Sequence, residues 1–363
     1  MRCVYFGNRG GGDPGIGLLW TLDTLEKGKD VVMIDPFDLP NDVRGASVGC
    51  LGAPIVLTEK PPSSNVLKKA FTELSRYLDD ELEIVIPFEA GGVNSTVAYA
   101  IAGELDIPVV DADGMNRAFP ELHQTSWVAN GSHASPAVSV DDRGNLTIID
   151  TKEDDIRAER IARHAAMTYG GISWKASYPL TGQEVKDKSI IHSQSIAWEI
   201  GKAVMDARKS HADPIEEIIK KLKETRDVDS YRVFNGKIID IHRNFGGEAT
   251  TGFSAGKVIM EGVGDYKGQI AEIDFQNEWL RLKVDDETLC LPPDLITILD
   301  NETGEPIRTD IMKYGYRGSI LLIPAQERMR TQKGLDSFGP SYFGYEEEYE
   351  SVEEIMTRKE RDE

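Results

Sequence analysis

Two short stretches of the 363-residue chain hold most of the side chains able to do chemistry. "PFEAGGVNS" brings Glu89, Gly91, Gly92, Asn94 and Ser95 close together. "PVVDADGMNRAFPELHQTS" adds Asp111, Asp113, Asn116, Arg117, Glu121 and His123. Carboxyls in unlike environments can divide acid from base work, which makes Glu89, Asp111 and Asp113 candidate catalytic groups. With His123 the same acids suit a divalent metal. Asp111 and Asp113 are equally suited to capping loops and pairing with Arg117. Asn94 and the backbone N–H groups of the 89–95 turn suit the stabilisation of developing negative charge. Arg117 suits a substrate carboxylate.

A third stretch, "GNRGGGDPGIG" at 7–17, contains a formal GxGxxG in Gly10, Gly12 and Gly15. Asp35 follows twenty residues after Gly15, where a dinucleotide fold places its ribose-binding acid. An NAD(P)-binding oxidoreductase is therefore one reading. Charge weighs against it: Asp13 would stand beside a pyrophosphate at the helix start. "DP" reads more simply as an N-cap aspartate followed by a first-turn proline. No Walker lysine follows. Gly11, Gly12 and Asp13 then become, with Gly91 and Gly92, the wall of a pocket that admits a small ligand close to backbone.

Other chemistries find less support. Cys3, Cys50 and Cys290 are widely spaced and form no CxxC, so neither a disulfide framework nor a thiolate zinc site is expected. Cys50 lacks a basic neighbour in sequence that would activate it as a nucleophile. No HExxH or GxSxG occurs. His164 falls mid-helix and reads as structural, whereas His192, just before a helix, is a candidate substrate contact.

These residues need elements to hold them. Apolar runs at 2–6, 30–35, 83–88 and 107–112 read as strands buried on both faces. Helical patterns at 16–27, 64–78 and 93–103 lie between them. The alternation predicts a mostly parallel sheet with helices packed on it, and ligands outside the carboxyl ends of its strands. A hairpin is expected at 137–149, then helices at 153–170, 194–210 and 213–227. From about 230 the chain becomes a series of strand-like runs, which predicts a compact antiparallel, barrel-like domain. The fold class is thus α/β: a three-layer α/β domain over 1–228 and a smaller β domain over 229–330. A tail over 331–363 packs back through Tyr342, Phe343 and Tyr345, and its last dozen residues read as a solvated end.

The net charge of −21 repels nucleic acid and anionic membranes, so neither is an expected partner. No run approaches the ~20 apolar residues of a membrane span, and no signal-peptide pattern opens the chain. A cytoplasmic acidic protein is expected, with a homo-oligomer compatible with its long apolar helices.

Several blocks occur together in order: "GGGDPGIG", "GAPIVLTEKPP", "EAGGVNS", "PVVDADGMNRAFPEL", "PLTGQEV", "EIDFQNEWL", "PDLITILDNETGEPI" and "GPSYFGYEEEY". As a set, over nearly the whole chain, they resemble the S-methyl-thiohydantoin desulfurase family, whose members carry hydantoin-utilisation and hydantoinase/oxoprolinase-related labels. Arg9 stands where a fuller glycine run is common, and His192 where a smaller residue is expected. The resemblance implies an α/β domain followed by a smaller β domain, and a sulfur-bearing five-membered heterocycle as substrate. It implies a hydrolase that leaves a hydantoin and releases sulfide or a thiol. It implies no particular cofactor, and a divalent metal is compatible with it. A non-catalytic partner of a hydantoin-processing enzyme is the remaining reading.

Overall fold

The computed structural model describes residues 13–59, 63–244, 255–309 and 311–362. The expected strand at 2–6, with Gly11 and Gly12, lies outside the described residues. The chain divides into two compact units after Ser195. Among the described residues no helix is long and apolar enough to cross a membrane.

The first unit runs α1 (Gly15–Glu26), β1 (Met33–Ile34), β2 (Arg44–Gly52), α2 (Pro54–Glu59), α3 (Asn65–Leu78), β3 (Ile84–Pro87), α4 (Gly92–Leu105), β4 (Val109–Val110) and β5 (Ala112–Asp113). It continues with α5 (Ser126–Ala129), β6 (Ala137–Val140), β7 (Leu146–Ile149), α6 (Asp155–Thr168), β8 (Ile172–Thr181), α7 (Gly182–Lys188) and β9 (Ile190–Ile191). Its main sheet has the order β1-β4-β3-β2-β8-β6-β7. The β1, β4, β3 and β2 neighbours are parallel, whereas β8, β6 and β7 join antiparallel. The expected mostly parallel sheet is therefore mixed. The difference comes from β2 and β8, "RGASVGCLG" and "ISWKASYPLT", whose glycines, serines and lysine hide the apolar pattern of a buried strand.

Those two central strands have unlike faces. Side chains alternate along a strand, and cross-strand partners share a face. Ala46, Val48, Val138, Val140, Trp174 and Ala176 enter one apolar core with Leu67, Phe71 and Leu74 of α3. On the opposite face Lys175 stands between Gly49 and Ser139, flanked by Ser173 and Ser177. Helix α6 packs against these strands and buries Ala158, Ala162 and Ala166. α4 is buried nearly all round, between α1 and the sheet.

The second unit takes in most of α8 (Ser193–Ser210), then α9 (Pro214–Arg226), β10 (Tyr231–Asn244), β11 (Ala255–Gly262), β12 (Ile270–Gln276), β13 (Glu278–Val284) and β14 (Glu287–Cys290). It ends with β15 (Leu295–Asp300), β16 (Arg317–Ile323), α10 (Gln332–Phe338) and α11 (Val352–Asp362). Its strands form an antiparallel sheet in the order β14-β13-β12-β11-β10-β16-β15, curled into a half-barrel. The α/β class with a smaller antiparallel β part is thus what the chain adopts.

The expected solvated end begins only at Thr357, where the described residues become mostly exposed. Val352, Ile355 and Met356 of α11 enter the half-barrel core. Asp294, fully buried, pins them: it accepts from Arg330 Nη2 at 2.9 Å, the Ala325 N–H at 2.7 Å, the Tyr349 hydroxyl at 3.1 Å and the Val352 N–H at 2.8 Å. Removing one partner of such a network strands the others in low dielectric. Asp294→Ala is expected to lower unfolding free energy by about 3 to 5 kcal/mol, measured by urea denaturation.

Candidate active site

The turn after β3 carries Glu89 into the interior, where only 2% of its surface remains exposed. Two neighbours hold this turn. Asp113, at the end of β5, accepts the Ala90 N–H at 2.8 Å and the Met115 and Asn116 N–H groups at 3.2 and 2.8 Å. Gly92 opens α4 at φ +62°, a backbone that a side chain would strain, and Gly91 precedes it in an extended conformation. The chain can therefore turn sharply from Glu89 into α4 and bring Asn94 back over it.

Asn94 links Glu89 to the sheet. Its Oδ1 accepts the Cys50 N–H at 2.7 Å and its Nδ2 donates to Glu89 Oε1 at 2.8 Å. Beyond Val48, β2 has no further partner on β3, so the Asn94 amide takes over hydrogen bonding to that strand edge at Cys50. This needs room over Gly49: a Cβ there would lie 2.9 Å from Asn94 Oδ1.

Lys175 stands directly across from Gly49, 2% exposed. Its Nζ lies 3.4 Å from the Phe88 ring centroid and donates to Ser177 Oγ at 3.3 Å. Phe88 in turn packs with Tyr178 and Trp127, at centroid distances of 6.2 and 6.4 Å. No carboxylate of the described residues is within ion-pairing distance of Nζ. A ring face favours a charged amine by up to about 2 kcal/mol. Burial without a counter-ion costs an ammonium several kcal/mol, so the net shift is toward the neutral form. Burial lowers the Lys175 amine to about 7 and raises the Glu89 carboxyl to about 8, against the opposing pull of the Asn94 hydrogen bond. At pH 7 the carboxyl keeps its proton, while an amine lowered to about 7 divides between its charged and neutral forms. The Cys50 residue is half-buried, yet desolvation, and secondarily Glu89, push its thiol up to about 12. At neutral pH it is a thiol, a poor nucleophile.

The other expected site residues fall into separate groups. Asp111 receives the Gln194 and Ser195 N–H groups at 2.9 and 3.0 Å and so caps the start of α8. Its carbonyl accepts the His192 N–H at 2.8 Å. The His192 ring turns outward, with Nε2 2.9 Å from Asp35 Oδ2, both side chains substantially exposed. Asp35 also accepts the Phe37 N–H, which, ahead of His192, holds its carboxyl below the usual range. Arg117 is buried, its guanidinium 4.7 Å from the Phe119 ring centroid and Nε bonded to the Ala118 carbonyl. His123 Nε2 lies 3.5 Å from Glu121. Asp13 accepts the Gly15 N–H at 2.9 Å and so caps α1, and the Pro14 carbonyl accepts from Thr96 of α4 at 3.0 Å. The described end of the glycine loop thus adjoins α4. Among the described residues no three His, Cys, Asp or Glu side chains converge to hold a metal ion.

The geometry therefore joins Glu89, Asn94 and Asp113 of the sequence-derived set and adds Lys175. One signal for Lys175 was present in the sequence: a single lysine within an otherwise uncharged strand, "ISWKASYPLT".

Fold and site together define an α/β protein whose mixed sheet buries the Glu89 carboxyl and the Lys175 amine, each shifted by desolvation toward its neutral form. The chain belongs to the S-Me-THD-like family: it matches that family's N-terminal domain over residues 3–151 and its C-terminal domain over residues 153–352. This is the S-methyl-thiohydantoin desulfurase family that the sequence blocks resemble, and its name implies a desulfurase-like enzyme. No curated protein sequence matches the chain. The crystal structure of a protein from Chromobacterium violaceum is similar over 96% of both chains, with a TM-score of 0.78 at 19% identity. That likeness speaks for the fold.

Stability should report the Glu89 proton. Its folded pKa lies near 8, above the ordinary 4.5, so the folded state binds the proton more tightly. The resulting stability is complete below pH 4.5 and is lost as pH rises through 8. Glu89→Gln cannot ionise. Its stability relative to wild type is expected to rise by about 1.4 kcal/mol per pH unit between pH 5 and 7, measured by denaturant titration at several pH values.

Proposed function

We propose that the chain is a hydrolytic desulfurase acting on a thiohydantoin-type ring, with Glu89 as its central acid. The observation that carries this reading is the buried Glu89 carboxyl, held by Asn94 at the entry to α4, in a chain of the S-Me-THD-like family. Hydrolysis at the sulfur-bearing ring carbon needs a proton for the departing sulfur, and a carboxyl protonated at neutral pH can supply it.

Water adds to the carbon that carries sulfur and forms a tetrahedral adduct. The carbon–sulfur bond then breaks as Glu89 protonates the sulfur, releasing sulfide from a thione or a thiol from an S-alkyl ring. The water oxygen stays on the ring as the hydantoin carbonyl. The first N–H groups of α4 have no partners within the helix and suit the charge that develops on the adduct. The Asn94 carboxamide is already engaged by Cys50 and Glu89, so it positions the acid. Asp113 positions the same turn from the other side.

The test supplies purified protein with a panel of 2-thiohydantoins and their S-methyl derivatives, with and without added divalent metals. Sulfide or thiol release is expected from at least one compound; none from any would refute the reading. Glu89→Gln is expected to reduce turnover by about 10²- to 10⁴-fold. Activity should fall as pH rises past about 8, where Glu89 loses its proton. Gly49→Ala is expected to lower turnover while leaving the fold intact, because its methyl displaces only the tip of Asn94. Circular dichroism beside the rate assay checks both parts.

A further inference from the structure

The face of the sheet under α6 departs from what burial ordinarily selects. A strand covered by a helix usually carries Val, Ile or Leu toward it. Here the positions around Lys175 are Ser47, Ser139, Ser173 and Ser177, each at most 1% exposed. Ser177 receives the Lys175 amine. The hydroxyls of Ser47, Ser139 and Ser173 have no hydrogen-bond partner among the described residues. Ser139 is the cross-strand neighbour of Lys175 on one side, and Gly49, with the Asn94 amide over it, on the other. Buried hydroxyls without protein partners are sites for ordered water. An amine and three such hydroxyls therefore share one buried polar face of the sheet, next to Gly49 and the Asn94 amide that holds Glu89.

We infer that Lys175 is the base of this site: its amine takes a proton from the water that attacks the sulfur-bearing carbon, while Glu89 protonates the sulfur that leaves. The inference rests on the desulfurase reading and names the second proton carrier that reading requires. The step balances. The lone pair of the Lys175 nitrogen accepts one proton of water as the oxygen–carbon bond forms. The carbon–sulfur bond pair departs with sulfur, which takes the Glu89 proton. The ammonium then returns its proton to the Glu89 carboxylate, directly or through water, and restores both neutral groups. With an S-alkyl ring the second proton of water ends on the ring nitrogen that was doubly bonded to the reacting carbon; with a thione, whose ring nitrogens already carry hydrogen, it leaves with the sulfur, as hydrogen sulfide. No oxidant, reductant or further reactant is needed.

The neighbours of Lys175 leave this role open to it. The titratable groups that face it are Glu89 on the turn after β3, Cys50 on β2 and Glu159 on α6. Glu159 is engaged elsewhere: it pairs with Arg163 and accepts the Leu122 N–H at 2.8 Å. The Cys50 thiol keeps its proton at neutral pH. Of the three, Glu89 is the group whose proton affinity lies closest to that of Lys175, about 8 against about 7.

The test compares wild type, Lys175→Met and Lys175→Arg on the compounds that wild type turns over. Methionine keeps the length and removes the base; arginine keeps the charge and cannot give it up. Lys175→Met is expected to lower kcat by about 10²- to 10⁴-fold with KM little changed, and to abolish the acid limb of the pH profile near 7. Arginine is expected to give no rescue. Lys175→Met with wild-type kcat and an intact acid limb would overturn the Lys175 assignment and leave the desulfurase reading standing. A wild type inactive on every compound would bring both down. A second measurement needs no variant enzyme to be active. The lysine Cε resonances of wild type, followed by NMR against pH, should include one that titrates near 7. If every lysine stays charged through pH 9, the proposal fails.

Discussion

The site depends on one costly arrangement: an acid and an amine buried close to each other without an ion pair. Two charges there would each lack the water that stabilises them, and a mediocre pairing would not repay several kcal/mol of desolvation per ion. Desolvation shifts both groups toward their neutral forms, the carboxyl up to about 8 and the amine down to about 7. The Asn94 hydrogen bond favours the ionised carboxyl and the Phe88 ring favours the charged amine, but desolvation outweighs both. Groups whose proton affinities lie near neutral pH are able to act as acid or base there.

The rest of the first unit holds this arrangement in place. β3 ends before β2 does, and the uncovered edge of β2 receives a side-chain amide where a strand would otherwise pair. Gly92 bends the backbone so that α4 starts at once, and Gly49 leaves room for the amide. Asp113 ties β5 to the turn that carries Glu89. Asp111, one residue before β5, ties the same region to the start of α8. The two aspartates therefore hold backbone N–H groups, while Glu89 is held by a side-chain amide.

Much of this was legible in the sequence, and the gaps have physical causes. The amphipathic spacing of α3 and the apolar run of α4 mark helices that the structure places within two residues of expectation. The hairpin at 137–149 and the change to antiparallel strands near 230 are also where turn chemistry puts them. β2 and β8 were missed because their site-facing positions are glycine, serine and lysine, which break the pattern by which buried strands are recognised. Glu89 stood out beside a glycine turn. Its difference from Asp111 and Asp113 did not, since that difference lies in which backbone N–H groups each meets in the fold. Lys175 became visible as a site residue once β8 paired with β2 and put it opposite Gly49.

Burial raises the Glu89 carboxyl to about 8, which leaves it protonated at neutral pH. Infrared difference spectra between wild type and Glu89→Gln, recorded across pH, test it without reference to any substrate. A carbonyl stretch of a protonated carboxyl present at pH 6.5 and lost with a midpoint near 8 is the predicted result. A carboxyl that has already ionised near the ordinary value of 4.5 would contradict the account.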